Sequence, residues 1–352
     1  MTYLMMYIGT QSLKATNFKK RALMKGRCKM SNLAVHLNED DKNGFKGKDF
    51  LTLGELSSDE IHALLQEAME LKKMAKAGKN IPYLKGKVLG MIFEKSSTRT
   101  RVSFEVGMLQ LGGEAIFLSS KDIQLGRGET IHDTAKVLSR YVDALMIRTY
   151  GHEVVEEFAK YSSVPVINGL TDLHHPTQVL ADLLTIYEKK GKLSGLKMCY
   201  VGDGNNNMCH SLMEGALKVG MNLSIACPKG YEPNKKVFQK AVSDAKTNGL
   251  SLKISDNIAE MMKDADVVVT DVWTSMGQEN EVSERMTVFS PYQVNEENCK
   301  LAKKDFIFLH CLPAHRGEEV SASIINGPHS VVFDEAENRL HAQKAILKLL
   351  LL

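Results

Sequence analysis

The chain has 352 residues, with 43% hydrophobic and 25% charged composition and 45 basic against 42 acidic side chains, for a net charge of +3. At about 100 to 200 residues per domain this predicts a globular protein of two domains, each able to bury a core. The charges are mixed along most of the chain, which argues against a nucleic-acid surface but leaves room for local basic pockets that take small anions.

The six cysteines, Cys28, Cys199, Cys209, Cys227, Cys299 and Cys311, form no C-x-x-C pair, the pattern of a reducing compartment in which disulfides are not expected. No apolar run reaches the roughly 18 to 20 residues a membrane helix needs, and Leu349 to Leu352 is too short to span. The first segment, Met1 to about His36, has no acidic residue but carries Lys14, Lys19, Lys20, Arg21, Lys25, Arg27 and Lys29. It reads either as an organelle transit peptide or as an unstructured leader before an internal start at Met30. The compartment follows that choice: cytoplasmic, or the mitochondrial matrix if the segment is a transit peptide.

From Phe45 onward, buried strands alternate with amphipathic helices. Ser57 or Ser58 caps a helix running to Lys76, a strand follows at Lys87 to Phe93, then a helix at Thr100 to Leu111 closed by Gly112-Gly113 and a strand at Ala115 to Leu118. Strands at Ala144 to Ile147 and Val164 to Ile167 flank a helix from about Glu153 to Tyr161. A long helix, Pro176 to Lys190, leads to a second unit: a strand at Lys197 to Val201, a helix at Ser211 to Val219, and strands at Asn222 to Cys227, Val267 to Thr270 and Phe306 to Leu309. A last helix from Glu335 is positioned to pack back on the first unit. The predicted fold is α/β: two doubly wound parallel sheets flanked by helices and joined by two interdomain helices. The predicted divisions are an extension over 1–44, a first domain over 45–186 with 335–352, and a second over 187–334.

Six stretches carry chemistry. Phe93-Glu94-Lys95-Ser96-Ser97-Thr98-Arg99-Thr100-Arg101 lies where a strand turns into a helix, so free N–H groups, hydroxyls and a guanidinium meet in a phosphate cradle; the other reading is simple capping by Ser97 or Thr98 with Arg99 in solvent. Arg148 directly follows an apolar strand, where ligands bind in open α/β sheets, although by itself a structural salt bridge is the commoner explanation of such a charge. His174-His175-Pro176-Thr177-Gln178 opens the long helix and offers imidazole and amide groups to a carbonyl gaining charge, or a plain histidine cap. Gly202-Asp203-Gly204-Asn205-Asn206-Asn207 lacks the third glycine of a dinucleotide fingerprint, so NAD binding is disfavoured against a polar small molecule. Asp271 to Glu279 places an acid, a hydroxyl and a glycine after a strand, able to grip an ammonium group or only to cap and turn. In His310-Cys311-Leu312-Pro313 the cysteine is a nucleophile, a proton acceptor or a buried thiol.

Together and in this order, the six stretches resemble the transcarbamoylase family, and Asp271-x-x-x-Ser275-Met276-Gly277 with His310-Cys311-Leu312-Pro313 resembles its ornithine-using branch, from about Phe45 to the C-terminus. The resemblance implies transfer of the carbamoyl group of carbamoyl phosphate to the side-chain amine of L-ornithine, in arginine metabolism, with no metal or organic cofactor. It implies that Ser97, Thr98, Arg99 and Thr100 hold the phosphate, Arg148 bridges phosphate and carbamoyl oxygen, and His175 and Gln178 orient the carbamoyl group, with Cys311, Leu312 and Arg339 completing that site. Gln124 would reach a neighbouring subunit's phosphate, implying a homotrimer; Asn207 would take the ornithine carboxylate, Asp271 and Ser275 its α-amino group, and Met276 a backbone contact. Arg148, His175 and Cys311 are the catalytic candidates. The alternatives are another amine acceptor such as putrescine, a non-catalytic paralogue, and a dinucleotide-binding oxidoreductase.

Overall fold

The structure is a computed structural model that describes residues 44–124, 128–275, 277 and 279–352. The basic N-terminal segment and Met276 lie outside the described residues.

Helix α1 (Ser58–Lys76) starts at a capping box: the Ser57 hydroxyl accepts the Glu60 N–H, and the Glu60 carboxylate accepts the Ser57 N–H. The first sheet then alternates β1 (Val88–Phe93), α2 (Thr98–Gln110), β2 (Glu114–Ser119), α3 (Ile131–Leu138), β3 (Ala144–Arg148), α4 (His152–Tyr161) and β4 (Val166–Leu170). Its strands are parallel in the order β2-β1-β3-β4. Burial on both faces explains why β3 and β4 read as unbroken buried runs, and Ile92, Leu145, Ile147, Phe158 and Val166 form the core beneath.

Helix α5 (Pro176–Lys190) begins with proline at its first position and ends at Gly191 in the left-handed conformation, φ 70°. It leads into β5 (Lys197–Val201), α6 (Asn207–Lys218), β6 (Asn222–Ala226), α7 (Lys235–Asn248), β7 (Leu252–Ser255), α8 (Ile258–Met262) and β8 (Val267–Thr270). After these come α9 (Val282–Phe289), α10 (Glu296–Cys299), β9 (Ile307–His310), α11 (Ala322–Ile325) and α12 (Val332–Leu351). This sheet is also parallel, ordered β7-β6-β5-β8-β9, with a separate core that includes Val201, Val268, Phe308 and Ile324. Helix α12 returns to pack on α1, α2 and α5, while α5 also packs on α6, so these two long helices join the sheets.

Each sheet has a topological switch point, where successive connections leave in opposite directions: between β1 and β3 in one, between β5 and β8 in the other. Ligands of open α/β sheets bind outside the strand carboxyl ends at such points.

The observed ends differ from the sequence expectation where a side chain takes over the cap. Helix α2 starts at Thr98 because extended Ser97 accepts the Thr100 N–H, and α6 starts at Asn207, not Ser211, because Asn206 accepts the Met208 N–H. Helix α12 also begins earlier than expected, at Val332 rather than Glu335, but without a side-chain cap. The two glycines that suggested a dinucleotide loop have local causes. Gly202 has φ 136°, closed to other residues, and a Cβ on Gly204 would lie 2.6 Å from the Tyr231 carbonyl.

Candidate active site

A cavity of about 1080 Å³ opens between the carboxyl ends of the two sheets. On one side, Ser97, Thr98 and Arg99 line it at the start of α2, where the first N–H groups of a helix have no partner inside it. Arg148, the last residue of β3, lines it from the adjacent strand, and Arg339 reaches it from the second turn of α12. Arg148 Nη1 lies 3.4 Å from Thr100 Oγ1, and Arg339 donates to the same hydroxyl at 2.8 Å and to Gln178 Oε1 at 2.7 Å. Thr100 and Gln178 are therefore buried one layer behind the wall, where they aim the guanidinium groups.

The charges here oppose one another. Burial, then the neighbouring Arg339 and Arg99, pull Arg148 down from 12.5 to about 9 despite an opposing contribution from Cys311, and burial first pulls Arg339 to about 10. Burial, then Arg339, Arg148 and Arg99, hold His175 well below its ordinary 6.5, so its imidazole is neutral. The Nε atoms of Arg148 and Arg339 and Nδ1 of His175 are buried without a protein partner. Buried cations with unsatisfied donors form a site that an anion completes.

The opposite wall is built around Asp271, which follows β8. Its Oδ1 accepts from the Val272 N–H at 2.8 Å and from Cys311 Sγ at 3.1 Å, and its Oδ2 accepts from Asn206 Nδ2 at 3.1 Å. Burial, then Asp271, push the Cys311 thiol well above its ordinary value, so it stays protonated and donates to Asp271. Asn207 donates to the Thr171 carbonyl at 2.7 Å and lines the cavity beside Asn206. Arg285 clamps this wall from behind, donating to Asp203 Oδ2 at 2.7 Å and to the Trp273 carbonyl at 2.9 Å.

The walls meet at Leu312, whose carbonyl accepts from Arg99 of the first sheet. Leu312 holds φ 56°, unusual for a branched side chain, and its N–H donates to His310 Nδ1 at 2.9 Å. With Nδ1 an acceptor, the ring proton is on Nε2, facing Glu319 Oε1 at 3.0 Å.

Of the residues expected from sequence, Ser97, Thr98, Arg99, Arg148, His175 and Arg339 line the cavity on the cationic side. Asn207, Asp271, Ser275, Cys311 and Leu312 line it on the other. Thr100 and Gln178 stand behind the wall, and Gln124 is exposed, apart from this chain's own cavity. Sequence reasoning included Lys95 in the first stretch but gave it no role; it lines the cavity, pairs with Asp172 and lies 4.2 Å over the Tyr150 ring. The same reasoning passed over Asn206, whose signal was its place in the asparagine run before a helix. Two groups among the described residues have metal-ligand atoms within 4.8 Å of one another: Asp271, His310 and Cys311, and His315, Glu318 and Glu319. In the first group, Cys311 already bonds Asp271 and His310 is bonded at both ring nitrogens.

The family model for the carbamoyl-P binding domain of aspartate/ornithine carbamoyltransferase matches residues 48–188, and the model for its Asp/Orn binding domain matches residues 194–350. The chain belongs to the aspartate/ornithine carbamoyltransferase family. Within the family, it is 61% identical over 307 residues to the ornithine carbamoyltransferase of Halalkalibacterium halodurans, covering 87% of this chain and 96% of that one. It is 62% identical over 305 residues to that of Bacillus subtilis, covering 87% of this chain and 94% of the relative. The solved ornithine carbamoyltransferase of Pyrococcus furiosus superposes with a TM-score of 0.85 at 54% identity, covering 87% of this chain and 98% of that one. The boundary between the two family matches falls within 189–193, at the end of α5.

Proposed function

We propose that the protein transfers the carbamoyl group of carbamoyl phosphate to the side-chain amine of L-ornithine, yielding L-citrulline and phosphate. The observation that carries this reading is the division of one cavity into a cationic wall with unsatisfied N–H donors and an Asp271–Asn206–Cys311 wall that accepts an ammonium group. The ornithine-using relatives of about 60% identity support the choice of acceptor.

In this reading the phosphate sits on the α2 N-terminus among Ser97, Thr98 and Arg99, and Arg148 spans phosphate and carbamoyl oxygen. Ornithine's carboxylate meets Asn207 and its α-amino group meets Asp271 and Ser275; the backbone contact expected of Met276 falls outside the described residues. The side-chain amine has an ordinary pKa near that of lysine, about 10.4, and the nearby guanidinium groups favour its neutral form. The neutral nitrogen attacks the carbamoyl carbon, and the oxyanion that develops is stabilised by Arg148, Arg339 and neutral His175. The carbon–oxygen bond to phosphate then breaks, the phosphate leaves against the helix N-terminus, and the nitrogen's proton passes toward the Asp271–Cys311 pair. The transfer uses these groups alone and has no step that calls for a metal or organic cofactor.

The exposed Gln124, away from its own cavity, supports a homotrimer in which it serves a neighbour's phosphate. We assign residues 45–186 with 335–352 to the carbamoyl phosphate domain and 187–334 to the ornithine domain. The role belongs to arginine metabolism, in the cytoplasm or, with a transit segment, the mitochondrial matrix; among the described residues no helix is long and apolar enough to cross a membrane. The test is phosphate release from carbamoyl phosphate with ornithine, putrescine, acetylornithine and aspartate in turn. Turnover with ornithine is expected, and turnover with another acceptor alone overturns the assignment.

A further inference from the structure

Behind the cationic wall, two acids with no assigned role surround Gln178. Asp182 stands one turn along α5 and Glu335 in the first turn of α12, both with 0% exposure. Gln178 Nε2 donates to Asp182 Oδ1 at 2.8 Å and to Glu335 Oε1 at 2.9 Å, while its Oε1 accepts from Arg339. Acceptors on one side and a donor on the other leave the amide a single orientation. The second Glu335 oxygen accepts the His310 backbone N–H at 2.9 Å, one residue before Cys311. Glu335 thus ties the turn that carries Cys311 in the second sheet to the helix that carries Gln178.

The two carboxyl groups converge on the same amide nitrogen, Gln178 Nε2, and Asp182 Oδ2 is buried without a hydrogen-bond partner. Like charges in contact, away from water, cannot both be held. Burial raises both groups, Asp182 to about 7 and Glu335 well above its ordinary value. If both ionised, their repulsion would push Glu335 off the His310 N–H or draw Arg339 away from Thr100.

We propose that Asp182 and Glu335 share one proton at neutral pH and act as a positioning pair, fixing Gln178, Arg339 and the Cys311 turn in mutual register across the two sheets. Carboxylic acid and carboxylate bond to each other, and the single remaining negative charge faces the Arg339 guanidinium. This rests on the carbamoyl-transfer reading insofar as Gln178, Arg339 and Cys311 are taken to surround the carbamoyl group.

The test uses the full chain with Asp182→Asn and Glu335→Ala. In Asp182→Asn the amide nitrogen takes the place of the partnerless Oδ2 and donates to Glu335, reproducing the protonated member, so this variant keeps most of the turnover, whereas Glu335→Ala loses kcat by on the order of 10²-fold with a smaller change in KM, the effect of displaced reacting groups. Difference infrared spectra at pH 8, wild type minus Asp182→Asn, show the carbonyl stretch of a protonated carboxylic acid that the variant lacks. Wild-type kcat in folded Glu335→Ala overturns the proposal, as does a wild-type spectrum in which this pair contributes carboxylate bands alone. If Glu335→Ala does not fold, the infrared comparison decides. The infrared result is independent of transfer activity, so a wild type that carbamoylates nothing defeats the functional reading while the band still judges the pair.

Discussion

Arg148→Met separates binding from folding most sharply, because it removes a charge that the empty protein holds at a cost. The fall of its pKa from 12.5 to about 9 converts, at about 1.4 kcal/mol per tenfold, to about 5 kcal/mol opposing the charge in the folded, empty site. Relaxation and solvent in the open cavity reduce that figure, and the bond surrendered, 3.4 Å to Thr100, is long and weak. Methionine is of similar length and carries no charge. A net relief of about 1 kcal/mol would raise the melting temperature of the ligand-free chain by about 2 °C. Removing a charged donor aimed at the oxyanion should cost about 3 to 4 kcal/mol, or about 10² to 10³ in kcat/KM for carbamoyl phosphate. Calorimetric melting with and without inorganic phosphate, alongside initial rates, reads both effects. The variant should melt at or above the wild-type temperature and lose most of the phosphate-induced stabilisation. A folded variant that melts several degrees lower and turns over normally would make Arg148 a structural residue and refute the reasoning.

Asn207→Ala should raise KM for ornithine and lose about 1 kcal/mol of stability with its bond to the Thr171 carbonyl, whereas Asn206→Ala should lose a similar amount because Asn206 caps α6. An unchanged KM in Asn207→Ala would move the carboxylate contact to Asn206. Cys311→Ser should lower kcat/KM for ornithine while leaving carbamoyl phosphate affinity intact, and an unaltered pH–rate profile would remove the thiol from proton transfer. Glu214, buried beside His174 Nδ1 at 3.6 Å, has its pKa raised by burial from 4.5 to about 7. The folded state therefore binds more protons than the unfolded one in that window, and stability is lost as pH rises through it, by at most about 3 kcal/mol. Glu214→Gln should remove this slope in urea unfolding measured from pH 5 to 8; a parallel slope in both proteins would contradict it.

Much of this was legible in the sequence, for identifiable reasons. Strands buried on both faces, such as Ala144–Arg148 and Val267–Thr270, announce themselves as apolar runs, and Pro176 and Gly191 mark both ends of α5. Helix α7 went unread because only Val237, Ala241 and Ala245 are buried, a stripe too narrow to stand out among its lysines. Strand β7 is a short, half-buried edge. In the site, residues next to strand ends could be placed from sequence. That Thr100 and Gln178 act from behind the wall could not, because it depends on Arg339 returning from α12 to bond both. The Asp182–Glu335 contact joins residues far apart in the chain and has no local pattern at all.

The central claim concerns one new bond, between the carbamoyl carbon and ornithine's side-chain nitrogen. Carbamoyl phosphate labelled with carbon-13 and ornithine labelled with nitrogen-15 at the side chain, incubated with the protein and followed by NMR, read that bond directly. The account predicts a one-bond carbon–nitrogen coupling in the ureido group, appearing in step with released phosphate. Phosphate release without that coupling, or a carbamoyl carbon attached to the α-nitrogen, would contradict it.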